Sequence, residues 1–261
     1  MNVNFSGINK GYMNQLQHID DFREVLAHYR LSDEAKQVLA NLNLVLLVGP
    51  TASGKNTIIQ ELLKLDKYHY IVSDTTRQPR INNGVMEQNG KEYWFKSEDE
   101  MLHELRDGQF LEAALIHNQQ VSGTSIRELE RALEAGKTAL AEIEIVGASK
   151  TYIAKPDTVI IFNVPPSFDV WMQRLRGRGE LPEAEIRRRL ETALSEYESA
   201  MTHDFYRFVI NDNIEETVKD IDGMARLDVH DQTKEYAARK LVEQLHFLTN
   251  DYLLSNGNLD R

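Results

Sequence analysis

Short, wholly apolar runs alternate along this chain with longer stretches in which apolar residues recur every three or four positions. Leu44 to Val48 (LVLLV) contains no polar residue, the pattern of a strand covered on both faces. Ile58, Ile59, Leu62 and Leu63 follow at helical spacing and predict a helix directly behind a loop. Upstream, two short helices are expected over Ile19–His28 and Ser32–Leu42. Ser32 stands at the start of the second, and Leu31, Ala35, Val38 and Leu39 make its stripe. Residues 1–17 are polar and read as a loose tail, with the two helices as a packing extension on the core. Downstream, Tyr70-Ile71-Val72 predicts a strand, Tyr93-Trp94-Phe95 a β-rich run behind turn signals, Glu98–Leu105 a helix and Phe110–Ile116 another strand. Leu140, Ile143 and Ile145 predict a central strand that carries Glu142 and Glu144 on one face. Asp231–Leu253 is an amphipathic helix with Ala237, Leu241, Leu245, Phe247 and Leu248, expected to dock or to form a dimer element.

Composition narrows the class. A chain of 261 residues with 41% hydrophobic and 27% charged residues is long enough for a real core. The absence of cysteine excludes disulfides and thiolate metal sites. No apolar run reaches the length of a membrane span, so a cytoplasmic location is the expectation. The formal net charge of -11 argues against nucleic-acid or anionic-membrane binding. An anion site must then be a local basic cluster.

Such clusters exist. Between the first strand and its helix stands Gly49-Pro50-Thr51-Ala52-Ser53-Gly54-Lys55. Glycines let the backbone curl until successive N–H groups share one concavity. The helix N-terminus adds positive potential and Lys55 adds a mobile charge, which together make a phosphate-binding P-loop. Asn56 follows the lysine where a hydroxyl is usual, and Thr57 comes next. An amide oxygen can accept a water of a Mg²⁺ shell but is a poorer direct ligand. Further on, Arg77 and Arg80 flank Pro79, so they lie on a rigid loop and not on a helix, suited to giving two guanidinium forks to one phosphate. Six arginines fall between Arg174 and Arg189 in an otherwise acidic chain, with Gly177 and Gly179 as hinges. Positive charge of this kind suits phosphoryl transfer once water is excluded.

The P-loop, then Ser73-Asp74-Thr75-Thr76-Arg77-Gln78-Pro79-Arg80, Gly90 to Phe95, Phe110-Leu111-Glu112, Gly123-Thr124-Ser125, the acidic stretch Ala141 to Glu144, Pro165-Pro166-Ser167, the arginine-rich segment and Val209 to Asp212 resemble the guanylate kinase family in order and spacing. The likeness implies a three-layer α/β P-loop kinase with a parallel core sheet. It places an N-terminal helical extension at 1–42, the kinase domain at 43–225, a GMP-binding insert near 75–125, a helical lid near 174–195, and a C-terminal helical extension at 226–261. It implies transfer of the ATP γ-phosphate to GMP, Mg²⁺ as cofactor, and a monomer or homodimer. In the family's terms Gly49 to Thr57 and Asn211 would contact ATP. Lys55, Arg174, Arg178 and Arg189 would be catalytic. Ser73, Arg77, Arg80 and Tyr93 would grip the GMP phosphate, and Glu112 and Thr124 would read guanine. Glu142 and Glu144 would meet the acceptor or, with Asn56 and Thr57, the waters of Mg²⁺. The family prefers aspartates to Glu142 and Glu144, and Ser122 stands where it carries a phosphate-binding tyrosine, a loss from which weaker acceptor affinity is expected. Two other functions fit parts of the pattern. One is a ribose 1,5-bisphosphate or other small-molecule phosphokinase of the same fold. The other is a catalytically inactive kinase-like binding module.

Overall fold

Five consecutive apolar residues need neighbours on both edges, and Leu44–Val48 has them. A computed structural model describes residues 16–82, 84–177, 181–227, 229 and 231–256. The elements run α1 (Ile19–Ala27), α2 (Asp33–Asn41), β1 (Leu44–Val48), α3 (Lys55–Leu63), β2 (Tyr68–Tyr70), β3 (Asp74–Thr75), β4 (Ile81–Asn82), β5 (Val85–Met86) and β6 (Trp94–Phe95). Then come α4 (Glu98–Arg106), β7 (Phe110–Ile116), β8 (Gln120–Ser125), α5 (Ile126–Glu134), β9 (Thr138–Glu142), α6 (Ile145–Ala154) and β10 (Val159–Val164). The chain ends with α7 (Phe168–Arg176), α8 (Glu183–Thr202), β11 (Tyr206–Ile210), α9 (Ile214–Leu227) and α10 (Gln232–Asn256). They divide into two compact units. One takes the chain through Ala35 together with Val72–Ile126, and the other takes Lys36–Ile71 together with Arg127 onward.

The second unit is built on a five-stranded sheet in the order β11-β10-β1-β9-β2, with every pairing parallel. Leu46 lies between Ile160 and Ala141, so β1 is central. Val45, Leu47, Ile58, Leu62, Leu140, Ile161 and Ile221 form one core there, which joins β1 to α3 and α9. The second strand sits earlier than Tyr70-Ile71-Val72 predicts. It spans Tyr68–Tyr70, and Ile71 adds one last bond to the Leu140 carbonyl at 2.9 Å before the chain leaves for the other unit. The acidic stretch also differs from the sequence reading. β9 ends at Glu142, and Glu144 is the N-cap residue of α6, so the two carboxylates leave a turn and do not alternate along a strand. Glu142 lies at the carboxyl end of its strand, where ligands gather in open parallel sheets.

In α10 the inward row is Glu235, Ala238, Val242, Leu245, Thr249 and Leu253, a strict three- and four-residue spacing. Ala237 and Phe247, placed on the stripe by sequence, face solvent. Thr249 takes its inward place because its hydroxyl is satisfied by the Leu245 carbonyl at 2.6 Å.

The first unit has a sheet in the order β6-β3-β8-β7, in which β7 and β8 form an antiparallel hairpin and β7 is the outer strand. Its core joins Phe22 and Leu16 from the N-terminal segment to Met101, Leu102 and Leu105 of α4 and Phe110 and Val121 of the hairpin. Both parts of this core come from distant stretches of chain. Glu98, the first residue of α4, accepts the N–H groups of Gln17 and His18 at 3.1 and 2.9 Å and so holds the start of α1. Thus α1 packs into the core of this unit, and the chain passes to the other unit at Lys36.

Candidate functional site

The P-loop is shaped by backbone that few side chains tolerate. Gly49 and Gly54 have φ of 132° and 102°, and Ala52 is left-handed at 67°. A Cβ on Gly54 would come within 2.2 Å of the Asn211 amide nitrogen. Most of the loop's braces converge on one carbonyl. Ser53 accepts from the side-chain amide of Asn163 at 3.0 Å, from that of Asn211 at 2.8 Å and from Arg174 at 3.4 Å. Trp171 Nε1 donates to the Thr51 carbonyl at 2.8 Å. Lys55 Nζ, buried at the start of α3, donates to the carbonyls of Gly49 and Pro50 and lies 3.4 Å from Glu142 Oε1. Asn56 and Thr57 are exposed on the first turn of α3.

Asn211 therefore has a role that the sequence does not reveal. It is 5% exposed and its amide is spent on the loop, while its own carbonyl accepts both terminal nitrogens of Arg174 at 3.3 Å. Of the other lid arginines, Arg189 and Arg188 both bond Glu185, which holds that carboxyl well below the usual range. Arg187 reaches Glu191 and the Leu253 carbonyl, and Arg176 reaches the Tyr252 hydroxyl. Only Arg174 of this group is brought to the P-loop among the described residues, and Arg178 lies outside them.

Glu196 on α8 belongs to the same neighbourhood and was not singled out by sequence. Its Oε2 is shut off from solvent with no hydrogen-bond partner, although the residue as a whole is half-buried. Burial pushes its carboxyl up to about 7. The Lys55 charge opposes the shift, and the Glu144 and Glu142 carboxylates add to it. One ammonium thus sits among three carboxyl groups. Two clefts of about 560 and 580 Å³ elsewhere in this unit, one beside α9 and one beside Phe168 and Tyr252, include no residue of 49–57 in their lining.

In the first unit, Arg77 is bidentate to Glu87 at 2.7 and 3.2 Å, and its guanidinium carbon lies 4.9 Å over the Tyr93 ring. Glu87 also accepts the Arg80 N–H at 2.9 Å, so one buried carboxylate organises the whole Arg77–Arg80 loop. The Arg80 side chain is exposed. Ser73 gives its carbonyl to Trp94 N–H at 2.9 Å, which ties its loop to β6. Thr124 donates its hydroxyl to Glu112 Oε1 at 2.9 Å across the hairpin. Ser122 donates to the Thr75 hydroxyl at 2.8 Å. The same unit thus holds the Arg77–Arg80 loop, its Arg77 fork engaged by Glu87, and a hydroxyl-bound carboxylate on the β7–β8 hairpin.

Glu87, Asn163 and Glu196 were all missed by sequence. A signal existed only for Asn163, a lone amide in the apolar run Val159 to Val164. Glu87 and Glu196 lie among many other acidic residues, and nothing local marks them.

Comparison with known proteins agrees with this arrangement. A family model described as guanylate kinase matches residues 41–226. The guanylate kinase of Corynebacterium diphtheriae is 41% identical over 180 residues, which are 68% of this chain and 91% of that protein. That of Rhodococcus jostii is 37% identical over 183 residues, 69% of this chain and 86% of its own length. The crystal structure of guanylate kinase from Anaplasma phagocytophilum matches with a TM-score of 0.52 at 28% identity, covering 78% of this chain and 94% of that one. With P-loop, arginine loop and hairpin carboxylate all inside the matched span, this chain belongs to the guanylate kinase family.

Proposed function

We propose that the chain transfers the γ-phosphoryl group of ATP to GMP, giving ADP and GDP, with Mg²⁺ as cofactor and the cytoplasm as its place of action, alone or as a homodimer. The observation that carries the choice of GMP is the Glu112–Thr124 pair. A carboxylate bound by a neighbouring hydroxyl is fixed as an acceptor-only group. Guanine presents two donors, N1–H and N2–H₂, to such a group, and adenine does not.

The chain's residues work by placement and charge. A GMP phosphate oxygen attacks the γ-phosphorus, and the bond from that phosphorus to the β–γ bridging oxygen breaks, with its electrons going to ADP. No side chain is required as a nucleophile. Backbone N–H groups of the P-loop such as those of Gly54 and Lys55 cradle the donor phosphates, and Lys55 and Arg174 supply charge beside them. The likeness to the family assigns Arg178 and Arg189 to the migrating group, Arg189 on leaving Glu185, while Arg77, Arg80, Ser73 and Tyr93 hold the acceptor phosphate. Asn211 acts on ATP indirectly, by setting the Ser53 turn. The oxygen-rich set of Asn56, Thr57, Glu142 and Glu144 suits a hard cation. Among the described residues no three acidic or histidine side chains converge as direct ligands, so waters and nucleotide phosphates complete the shell. Bound there, Mg²⁺ neutralises phosphate charge.

A coupled ADP-release assay across GMP, dGMP, AMP, UMP and ribose 1,5-bisphosphate tests the reading. GMP should exceed AMP in kcat/KM by about tenfold to a few hundredfold, and Glu112→Gln should shrink that ratio because an amide offers one acceptor where the carboxylate offers two. Equal use of AMP, or a preference for ribose 1,5-bisphosphate, overturns it.

A further inference from the structure

Tyr29 follows α1, upstream of the span that the family model matches. Its hydroxyl donates to the Phe110 carbonyl at 2.5 Å and accepts from the Phe110 N–H at 2.7 Å. The hairpin explains why both groups need it. Ile126 N–H bonds the Gln109 carbonyl at 2.9 Å, so the next residue, Phe110, turns its own N–H and C=O away from β8. β7 is the outer strand, and Phe110 is wholly buried. With no strand beyond it among the described residues, those two backbone groups would be buried and unpaired without the tyrosine oxygen. One hydroxyl stands in for a missing strand.

The same place sets the direction of Glu112. Phe110 pairs with Ser125 and Glu112 with Thr124, so two steps on β7 answer one step on β8. This is a β-bulge. In regular pairing, residues 110 and 112 would share a face, and the carboxylate would enter the core beside Phe110. The bulge turns Glu112 to the opposite face, against Thr124. The tyrosine oxygen is also within the field of the Glu112 carboxylate. Burial raises the Tyr29 hydroxyl to about 12, against the Phe110 bond, and the Glu112 charge adds to the rise.

We propose that Tyr29 is a positioning residue for base recognition: by holding both backbone groups of Phe110 it fixes the bulge that sets Glu112 opposite Thr124, which makes the segment upstream of the family span part of the acceptor site. The inference rests on GMP as the acceptor.

Tyr29→Phe keeps the ring and removes only the oxygen. In this variant the calorimetric Kd for GMP, measured without ATP, and the KM for GMP should rise about three- to thirtyfold, the worth of one or two hydrogen bonds. The kcat and the KM for ATP should stay within about twofold, and the GMP-to-AMP ratio of kcat/KM should fall. Phe22→Leu, in the same core but without a bond to β7, serves as the structural control. It should lower the melting temperature and leave that ratio alone. If Tyr29→Phe leaves GMP affinity and the ratio unchanged, or shifts GMP and ATP alike, the proposal is wrong. It is equally wrong if Phe22→Leu lowers the ratio as much. A wild type that prefers GMP beside an indifferent Tyr29→Phe sinks this inference alone, whereas a wild type that prefers another acceptor sinks the proposed function and this inference with it.

Discussion

The P-loop and the small β6-β3-β8-β7 sheet are held in opposite ways. Residues 49–55 form one contiguous piece of backbone, fixed by donors that converge on the Ser53 carbonyl and by a lysine folded onto its own loop. Residues 73–125 are held by separate side-chain pairs: Arg77 on Glu87, Lys96 on Asp74 and Glu104, Ser122 on Thr75, and Thr124 on Glu112. A single contiguous loop, braced mainly at Ser53 and also at Thr51, loses its function as a unit. A sheet pinned at several independent points loses it in parts. The two regions should therefore answer mutation differently, all-or-none in one and graded in the other.

The strongest test of that contrast is Lys55→Ala. Turnover with every acceptor should drop at least about a thousandfold, since a charge fixed beside transferring phosphates has no substitute. The chain should remain folded, with a melting temperature lowered by no more than a few degrees. Near-wild-type turnover in a folded variant would remove the P-loop from the mechanism.

On the acceptor side, Arg77→Ala and Arg80→Ala should each raise the KM for GMP about ten- to a hundredfold, the worth of one charged fork at roughly 1.5–3 kcal/mol, with the KM for ATP unchanged. They should differ from one another in stability. Arg77→Ala leaves the buried Glu87 carboxylate without its guanidinium and should lower the melting temperature, whereas the exposed Arg80 should not. Equal rises in the two KM values would show that this loop serves the donor as well, and the contrast would fail.

The smallest effect belongs to Glu196→Gln, and it is read in stability. The folded carboxyl titrates at about 7 against an ordinary 4.5. Below the ordinary value both folded and unfolded chains hold the proton, and the group has no effect. Between the two values only the folded chain holds it, so stability falls as pH rises, and above about 7 the loss is complete. Glu196→Gln should then raise the melting temperature at about pH 8 and leave it unchanged at about pH 4.5. An equal gain at both pH values would mean that packing, and not charge, is responsible.

The contrast also explains what could be read from sequence. β1, the P-loop and α3 are legible because apolar run, glycines, lysine and helical spacing are adjacent in the chain. The Arg77–Arg80 loop is legible as a motif, yet its organiser Glu87 is not, because which acid faces Arg77 depends on how the hairpin turns. Glu144 is misread because strand periodicity says nothing of where a strand stops, and β9 stops at Glu142. Asn211 is placed correctly at a strand end, but its amide is committed to Ser53 by an approach that requires Gly54 to lack a side chain. The bulge at Phe110 needs Tyr29, some eighty residues earlier, and no local pattern joins them.

The divided origin of the first unit also fixes an order of events during synthesis. Phe22, Val25 and Leu26 leave the ribosome first, but the side chains that cover them, Leu102, Phe110 and Val121, follow only after β1, the P-loop and α3 have been made. At about 5–20 residues per second, this segment waits on the order of ten seconds with its apolar side chains uncovered. Closing so long a loop is slow compared with forming the β7–β8 hairpin. The nascent chain thus carries these apolar side chains uncovered through that interval, and the core of this unit closes only once residue 121 has emerged.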